Sequence, residues 1–157
     1  MVMKKIILCL LFSLISSSHA VTWQVHRPCD SSIAYQGDKK LNLEKSAGQH
    51  SVNLFELAGI EFQGNEMGMN SIMGTPTGMQ ALEVLSDTEM RSYGWCYQVN
   101  GFGPSTLPGN FYFNSQEDHL TWVYGFAHFK DGEWLSYCEL AYRSENCESY
   151  AAQRDFE

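Results

Sequence analysis

The chain has 157 residues, 44% of them apolar, with 10 Lys+Arg against 18 Asp+Glu and a formal charge of −8. That length makes one domain with a core of its own and needs no metal staple. An acidic balance without any basic run argues against nucleic acid or anionic membrane as partner, because polyanions gain affinity from Lys and Arg that displace counterions.

Residues 1–20 read as a secretory signal peptide. Lys4 and Lys5 form a basic start, Ile6 to Ile15 an apolar run too short to span a bilayer, and Ser18-His19-Ala20 the small residues that a signal peptidase reads. Cleavage after Ala20 leaves one domain of 137 residues, 21–157, with 8 basic and 18 acidic residues, a formal −10. An uncleaved N-terminal anchor is the alternative, disfavoured by the shortness of the apolar run. No second apolar segment approaches membrane-spanning length, so no membrane insertion follows cleavage, and the expected location is periplasmic or secreted. Cys9 leaves with the signal, and Cys29, Cys96, Cys138 and Cys147 remain. Four cysteines in an exported chain point to two disulfides, with three pairings open. No C-x2-C knuckle suggests zinc, and no Asn-x-Ser/Thr acceptor occurs.

Thr22 to His26 alternates weakly before Arg27-Pro28 and predicts a short strand. Ser31 to Asp38 is turn-rich. Lys40 to Glu44 alternates polar and apolar, which predicts a second strand with Leu41 and Leu43 on one face and a hairpin with the first. Ser51 to Gly59 opens on a capping residue and closes on a terminating glycine, so it predicts a short helix burying Leu54, Phe55 and Ala58. Met69 to Met73 is a further strand between glycine-rich loops, and Gln80 to Met90 fits helix or strand equally.

The strongest local pattern is Tyr93-Gly-Trp-Cys-Tyr-Gln-Val99, with the residues at 93, 95, 97 and 99 on one face, followed by the hairpin dipeptide Asn100-Gly101. Leu120, Trp122, Tyr124 and Phe126 share one face of a later strand. Lys130-Asp131-Gly132 then turns into a last strand, Trp134 to Ala141. Strands around one short helix make an α+β domain.

Leu41 to Tyr124 resembles the transcobalamin-like C-terminal family, the β-domain of transcobalamin and intrinsic factor that also occurs in exported bacterial proteins. The carriers are Val52-Asn-Leu-Phe-Glu-Leu-Ala-Gly-Ile60, Asn70-Ser71-Ile72-Met73-Gly74, Gly94-Trp95-Cys96-Tyr97-Gln98-Val99-Asn100-Gly101, and Asp118-His119-Leu120-Thr121-Trp122-Val123-Tyr124. Residues 75–92 look like an insertion, and Asp118-His119 stands where many relatives have Gly-Asp. The resemblance implies a β-grasp-like mixed sheet curled over one short helix, here with an extra C-terminal hairpin strand. It also implies Trp95 and Trp122 on neighbouring strands, a Cys29–Cys96 disulfide and, by remainder, Cys138–Cys147. In the vitamin carriers this domain caps cobalamin held against a larger helical domain. No helical domain is present here, so cobalamin or another planar ligand is the alternative to an unidentified small molecule or envelope protein.

The aromatic set Tyr93, Trp95, Tyr97, Trp122 and Tyr124, with Trp134 and Tyr137 behind it, is either a stacking platform or, more in keeping with an inner sheet face, core. Phe102, Phe111 and Tyr112 lie near Gly-Pro loops and suit exposed contact. The ligand-binding candidates are therefore Trp95, Tyr97, Phe102, Phe111, Tyr112 and Trp122. Met67, Met69, Met73 and Met79 could offer thioethers to copper(I), but methionine also fills irregular gaps, and no histidine pair has ligand spacing, so no metal and no cofactor is expected. No nucleophile elbow, zinc-protease helix or phosphate loop occurs. Glu117-Asp118 and Glu133 could be the paired carboxylates of a small exported hydrolase, but acidic turn residues are mostly surface. The expected function is a non-catalytic binding module.

Overall fold

The computed structural model describes residues 22–143 and Cys147. The predicted signal peptide lies outside these residues. The architecture is α+β, mostly sheet with one helix. Strands β1 (Trp23–His26) and β2 (Ile33–Gly37) form a hairpin, followed by helix α1 (Ala47–Ala58) and a small hairpin of β3 (Phe62–Asn65) and β4 (Gly68–Ile72). Then come β5 (Leu82–Ser86), β6 (Glu89–Val99), β7 (Leu120–Lys130) and β8 (Glu133–Leu140). The main sheet runs β2-β1-β7-β6-β5, with β8 also on β7. All pairings are antiparallel except β1 with β7.

The sheet is organised by β6 and β7, which pair residue for residue from Glu89↔Lys130 to Val99↔Leu120 without a register shift. Tyr93, Trp95, Tyr97 and Val99 are buried and alternate with half-buried neighbours, as the period-two pattern requires. Asn100 and Gly101 both have positive φ, 52° and 82°, which gives the turn the twist that a two-residue hairpin needs. Along its other edge, β7 pairs first with β1 (Trp23↔Leu120 to Val25↔Trp122) and then with β8 (Gly125↔Leu140 to Lys130↔Glu133). Leu120 to Phe126 is consequently buried on both faces.

The second strand is Ile33–Gly37 rather than Lys40 to Glu44. Ile and Tyr at 33 and 35 favour a pleated edge, and Thr22 closes that hairpin through a bond from its N–H to Gly37 O at 2.8 Å. Residues 40–44 form a loop: Asn42 Oδ1 accepts from Glu44 N at 2.9 Å, so Leu41 is buried while Leu43 faces solvent. Gln80 to Met90 resolves mainly as strand, with β5 and the start of β6 joined by a turn at Asp87-Thr88.

The helix begins one turn before the expected Ser51. Ser46 Oγ accepts from Gln49 N at 3.2 Å and Gln49 Oε1 accepts from Ser46 N at 3.1 Å, a complete capping box. Gly59, at φ 65°, ends it in the left-handed conformation. Ser51 is buried against the sheet instead. It donates to Ala47 O at 2.7 Å and accepts from Trp122 Nε1 at 2.8 Å. Leu54 and Phe55 fill the same face, Phe55 meeting Trp122 edge-on with ring centroids 6.2 Å apart, whereas Ala58 is exposed.

The disulfides correct the expected pairing. Cys29 is bonded to Cys147 and Cys96 to Cys138, not Cys29 to Cys96 and Cys138 to Cys147. β8 lies beside β7 on the edge opposite β6, and between Phe126 and His128 it carries a bulge at Tyr137-Cys138. Bulges re-aim side chains, and this one turns Cys138 over β7 towards Cys96. The Cα atoms are 6.3 Å apart, although strands two places apart in a flat sheet lie roughly 10 Å apart. Gly125 of β7 lies under the bond, where an added Cβ would lie 3.2 Å from Cys96 Sγ and 3.3 Å from Cys138 Sγ. Two oxidised pairs fit an extracellular or periplasmic location. Among the described residues no helix is long and apolar enough to cross a membrane.

Candidate functional site

The six aromatic candidates separate into two groups. Trp95 is 9% exposed and Trp122 2%, and both indoles are spent on internal bonds, Trp95 Nε1 to Thr75 Oγ1 at 2.7 Å and Trp122 Nε1 to Ser51 Oγ. Tyr97 is also buried. Its hydroxyl donates to Thr106 O at 2.7 Å, and burial raises the phenol's pKa against that hydrogen bond, which keeps the donor protonated. These three rings belong to the core, yet their edges come together at one surface feature. Phe102, by contrast, is 79% exposed at the hairpin tip and Tyr112 is also exposed. Phe111 packs between Tyr97 and Phe113, with centroids 6.1 and 5.8 Å away.

The shared feature is a cleft of ≈ 490 Å³ beside the outer edge of β6. β4 and its turn form one wall through Met67 and Met69. The loop Gly103 to Pro108 forms the other, and Tyr137 with the Cys96–Cys138 disulfide stands at one end. No charged residue lines it. Its volume lies in the range of sites that hold a drug-sized molecule or a short peptide. The walls are held in place before any partner arrives: Tyr97 ties the loop to β6, Thr75 ties Trp95, and the disulfide ties β8 to β6. Pre-organised walls spare binding the cost of ordering them.

A second cleft, ≈ 570 Å³, lies between α1 and the β3–β4 hairpin. Its rim carries Gln49, Asn53, Glu56, Asn65 and Glu66, long or polar side chains at the surface. Unlike it, the cleft beside β6 carries no charged residue.

The remaining candidates do not converge. Asp118 staples its own loop, accepting from Asn100 Nδ2 at 2.9 Å and from the Asn114 and Ser115 amides at 3.0 Å. Burial alone would raise that carboxyl, and these bonds outweigh it and hold its pKa low. Glu133 pairs in the ladder with Lys130 at the far end of β7. Eleven strand residues separate the two ends by roughly 35 Å, far beyond the ~5–10 Å of a glycosidase carboxylate pair. Met69 is core and Met73 packs on it, whereas Met67 and Met79 are exposed. Among the described residues no group of three His, Cys, Asp or Glu could hold a metal ion. Trp134 and Tyr137, expected behind the stripe, are exposed on β8 with centroids 6.1 Å apart.

Sequence reasoning pointed to this Gly-Pro loop through Phe102, Phe111 and Tyr112 but did not name residues 103–108, which line the cleft. Their signal was the pair Gly103-Pro104 and Leu107-Pro108, rigid punctuation directly after a hairpin turn. Compared with protein families, curated proteins and solved structures, the chain has no match in any of the three.

Proposed function

We propose that the protein is an exported, non-catalytic binding module that takes its partner in the cleft between β4, the outer edge of β6 and the Gly103–Pro108 loop. The observation that carries this reading is the set of internal bonds fixing an uncharged cleft of ≈ 490 Å³, with Tyr97 bonded to Thr106 and Trp95 to Thr75. Parallel pairing of β1 with β7 beside one helix is in keeping with a β-grasp-like form of the fold. A whole corrin is larger than the drug-sized ligands such a volume encloses, so a smaller or extended partner suits the cleft better than cobalamin.

The test is a screen of uncharged aromatic fragments and blocked dipeptides followed by amide chemical shifts. Binders are expected to move the amides of Trp95, Tyr97 and Thr106. A Cβ added at Gly103 would have only Tyr97 O nearby, at 4.0 Å, so Gly103→Val adds bulk at the cleft wall with no close contact at its Cβ. It is expected to abolish those shifts. Binders that perturb only other surfaces, or that ignore Gly103→Val, refute the site.

A further inference from the structure

A second compartment adjoins the cleft beside β6. The pairing of β5 with β6 ends at Leu82↔Ser92, and the chain before Leu82 passes through a 3-10 turn at Gly78–Ala81. Next to this point lies a cavity of ≈ 460 Å³, lined by Gln63, Asn70, Thr77 and Gly78 and by Tyr93 to Trp95 of β6. Met69, Asn70 and Trp95 line this cavity and the ≈ 490 Å³ cleft alike, so the two are neighbours along β6.

The polar side chains of this region divide into two sets. Ser71 and Thr75 are buried and spent on the fold: Ser71 Oγ donates to Thr75 O at 2.7 Å, and Thr75 Oγ1 donates to Ile72 O at 3.3 Å and accepts from Trp95 Nε1. Gln63, Asn70 and Thr77 line the cavity, and their side chains make no hydrogen bond with any described residue. Each amide offers two donors and an acceptor, and the hydroxyl can do either.

No Asp, Glu, Lys, Arg or His lines either compartment. A charged ligand would give up water there without gaining a counter-charge, and the formal −8 of the chain adds repulsion against anions. The ligand is therefore neutral. Neighbouring hydroxyls on a ring, each a donor and an acceptor at once, match two amides and a hydroxyl. The adjoining cleft has a different character, since Met67, Met69, Leu107 and the prolines at 104 and 108 give it apolar walls. A polar compartment beside an apolar one, both uncharged, fits a ligand with the same two halves.

We infer that the two compartments together bind a neutral glycoside, its sugar ring held by Gln63, Asn70 and Thr77 and its apolar aglycone lodged in the cleft beside β6. The inference names the ligand class of that cleft and rests on the cleft being the binding site. The sugar supplies selectivity, because a polar group built to meet a hydroxyl is left unpaired by a ligand that lacks it.

The probes are the phenyl β-glycosides of glucose, galactose and N-acetylglucosamine, each compared with its methyl glycoside and with anisole, by amide chemical shifts of the oxidised protein. At least one phenyl glycoside is expected to bind roughly tenfold more tightly than either half and to move the amides of both Gly94 and Thr106. Gln63→Met and Thr77→Val, made singly, alter residues that line the polar cavity and not the cleft. Each is expected to weaken the phenyl glycoside roughly tenfold while anisole binds as before. Phenyl glycosides that bind no better than anisole, or no better than their methyl counterparts, overturn the inference. So do glycosides that keep their affinity in both variants, and blocked dipeptides that outbind every glycoside. In each of those cases the cleft stands as long as anisole or another uncharged fragment moves Trp95, Tyr97 and Thr106. If no probe moves them, the site falls as well.

Discussion

Cys96 and Cys138 are joined across the strand that separates them, and Gly125 of that strand lies directly beneath the bond. A Cβ at 125 would lie 2.6 Å from Glu139 O as well as against both sulfurs. Gly125→Ala is expected to cost about 1–3 kcal/mol, the usual penalty for overpacking a closed site. Gly68→Ala is the control, because nothing lies within 4 Å of its added Cβ. Urea unfolding of the two variants measures the difference, and equal stabilities would disprove the crossing.

The two disulfides are expected to differ in reactivity and in worth. Cys138 is exposed, whereas Cys147 is 2% exposed. Graded thiol reductant with mass-spectrometric mapping should open Cys96–Cys138 first, since thiolate attack needs access. The separations of 118 and 42 residues correspond to roughly 5 kcal/mol for Cys29–Cys147 and roughly 4 kcal/mol for Cys96–Cys138 on the loop-entropy account. Loss of Cys29–Cys147 by paired alanine substitution should therefore be the more damaging; the reverse order would contradict that account.

Ser51 holds helix and sheet together through Trp122. Ser51→Ala leaves the buried indole N–H without its acceptor, at a cost of about 1–3 kcal/mol. Ser46→Ala removes the helix cap and is expected to cost about 1 kcal/mol. Denaturant midpoints followed by tryptophan fluorescence compare them. A neutral Ser51→Ala would show that Trp122 finds another acceptor.

His50 predicts a pH dependence. Burial pushes its imidazole below the usual range, opposed by the bond to Asn42 and reinforced by Lys45 and Lys39, and burial lowers His26 in the same direction against Asp30. A depressed histidine is neutral in the folded protein, so its contribution is complete above the ordinary value of about 6.5 and is lost as pH falls through the folded value. Tm should drop as pH falls below about 6.5, and His50→Gln, which cannot titrate, should flatten the slope. Parallel Tm profiles for the two proteins would refute the assignment.

Much of the sheet was legible because its signals are local. Tyr93, Trp95, Tyr97 and Val99 bury one face as period two requires, and Asn100-Gly101 and Asp131-Gly132 adopt the positive φ that their composition invites. What the sequence hid is settled by distant partners. Glu83 looks like a surface residue, but it is buried on β5, taking the Tyr93 hydroxyl at 2.9 Å and Arg91 at 3.3 Å from the neighbouring strand. The disulfide pairing depends on where β8 docks and on its bulge, and neither leaves a local trace.

The helix start is a different kind of miss. Ser46-Ala-Gly-Gln49 is a capping-box sequence in plain view, and Ser51 drew the boundary only because it too can cap. Trp95, Tyr97 and Trp122 face the core, and they also line the cleft beside β6. Alternation tells which residues share a face, not whether that face is covered.

The Cys29–Cys147 bond closes residues 30–146 into a covalent ring. Tension on the two ends of the chain must pass through that bond, so β2 to β8 and α1 lie outside the load path. Of the described strands only β1 precedes Cys29, and it alone can be peeled away by such a pull. Once β1 has gone, lengthening stops at the disulfide, and the β6 edge with its cleft would keep its shape under mechanical strain.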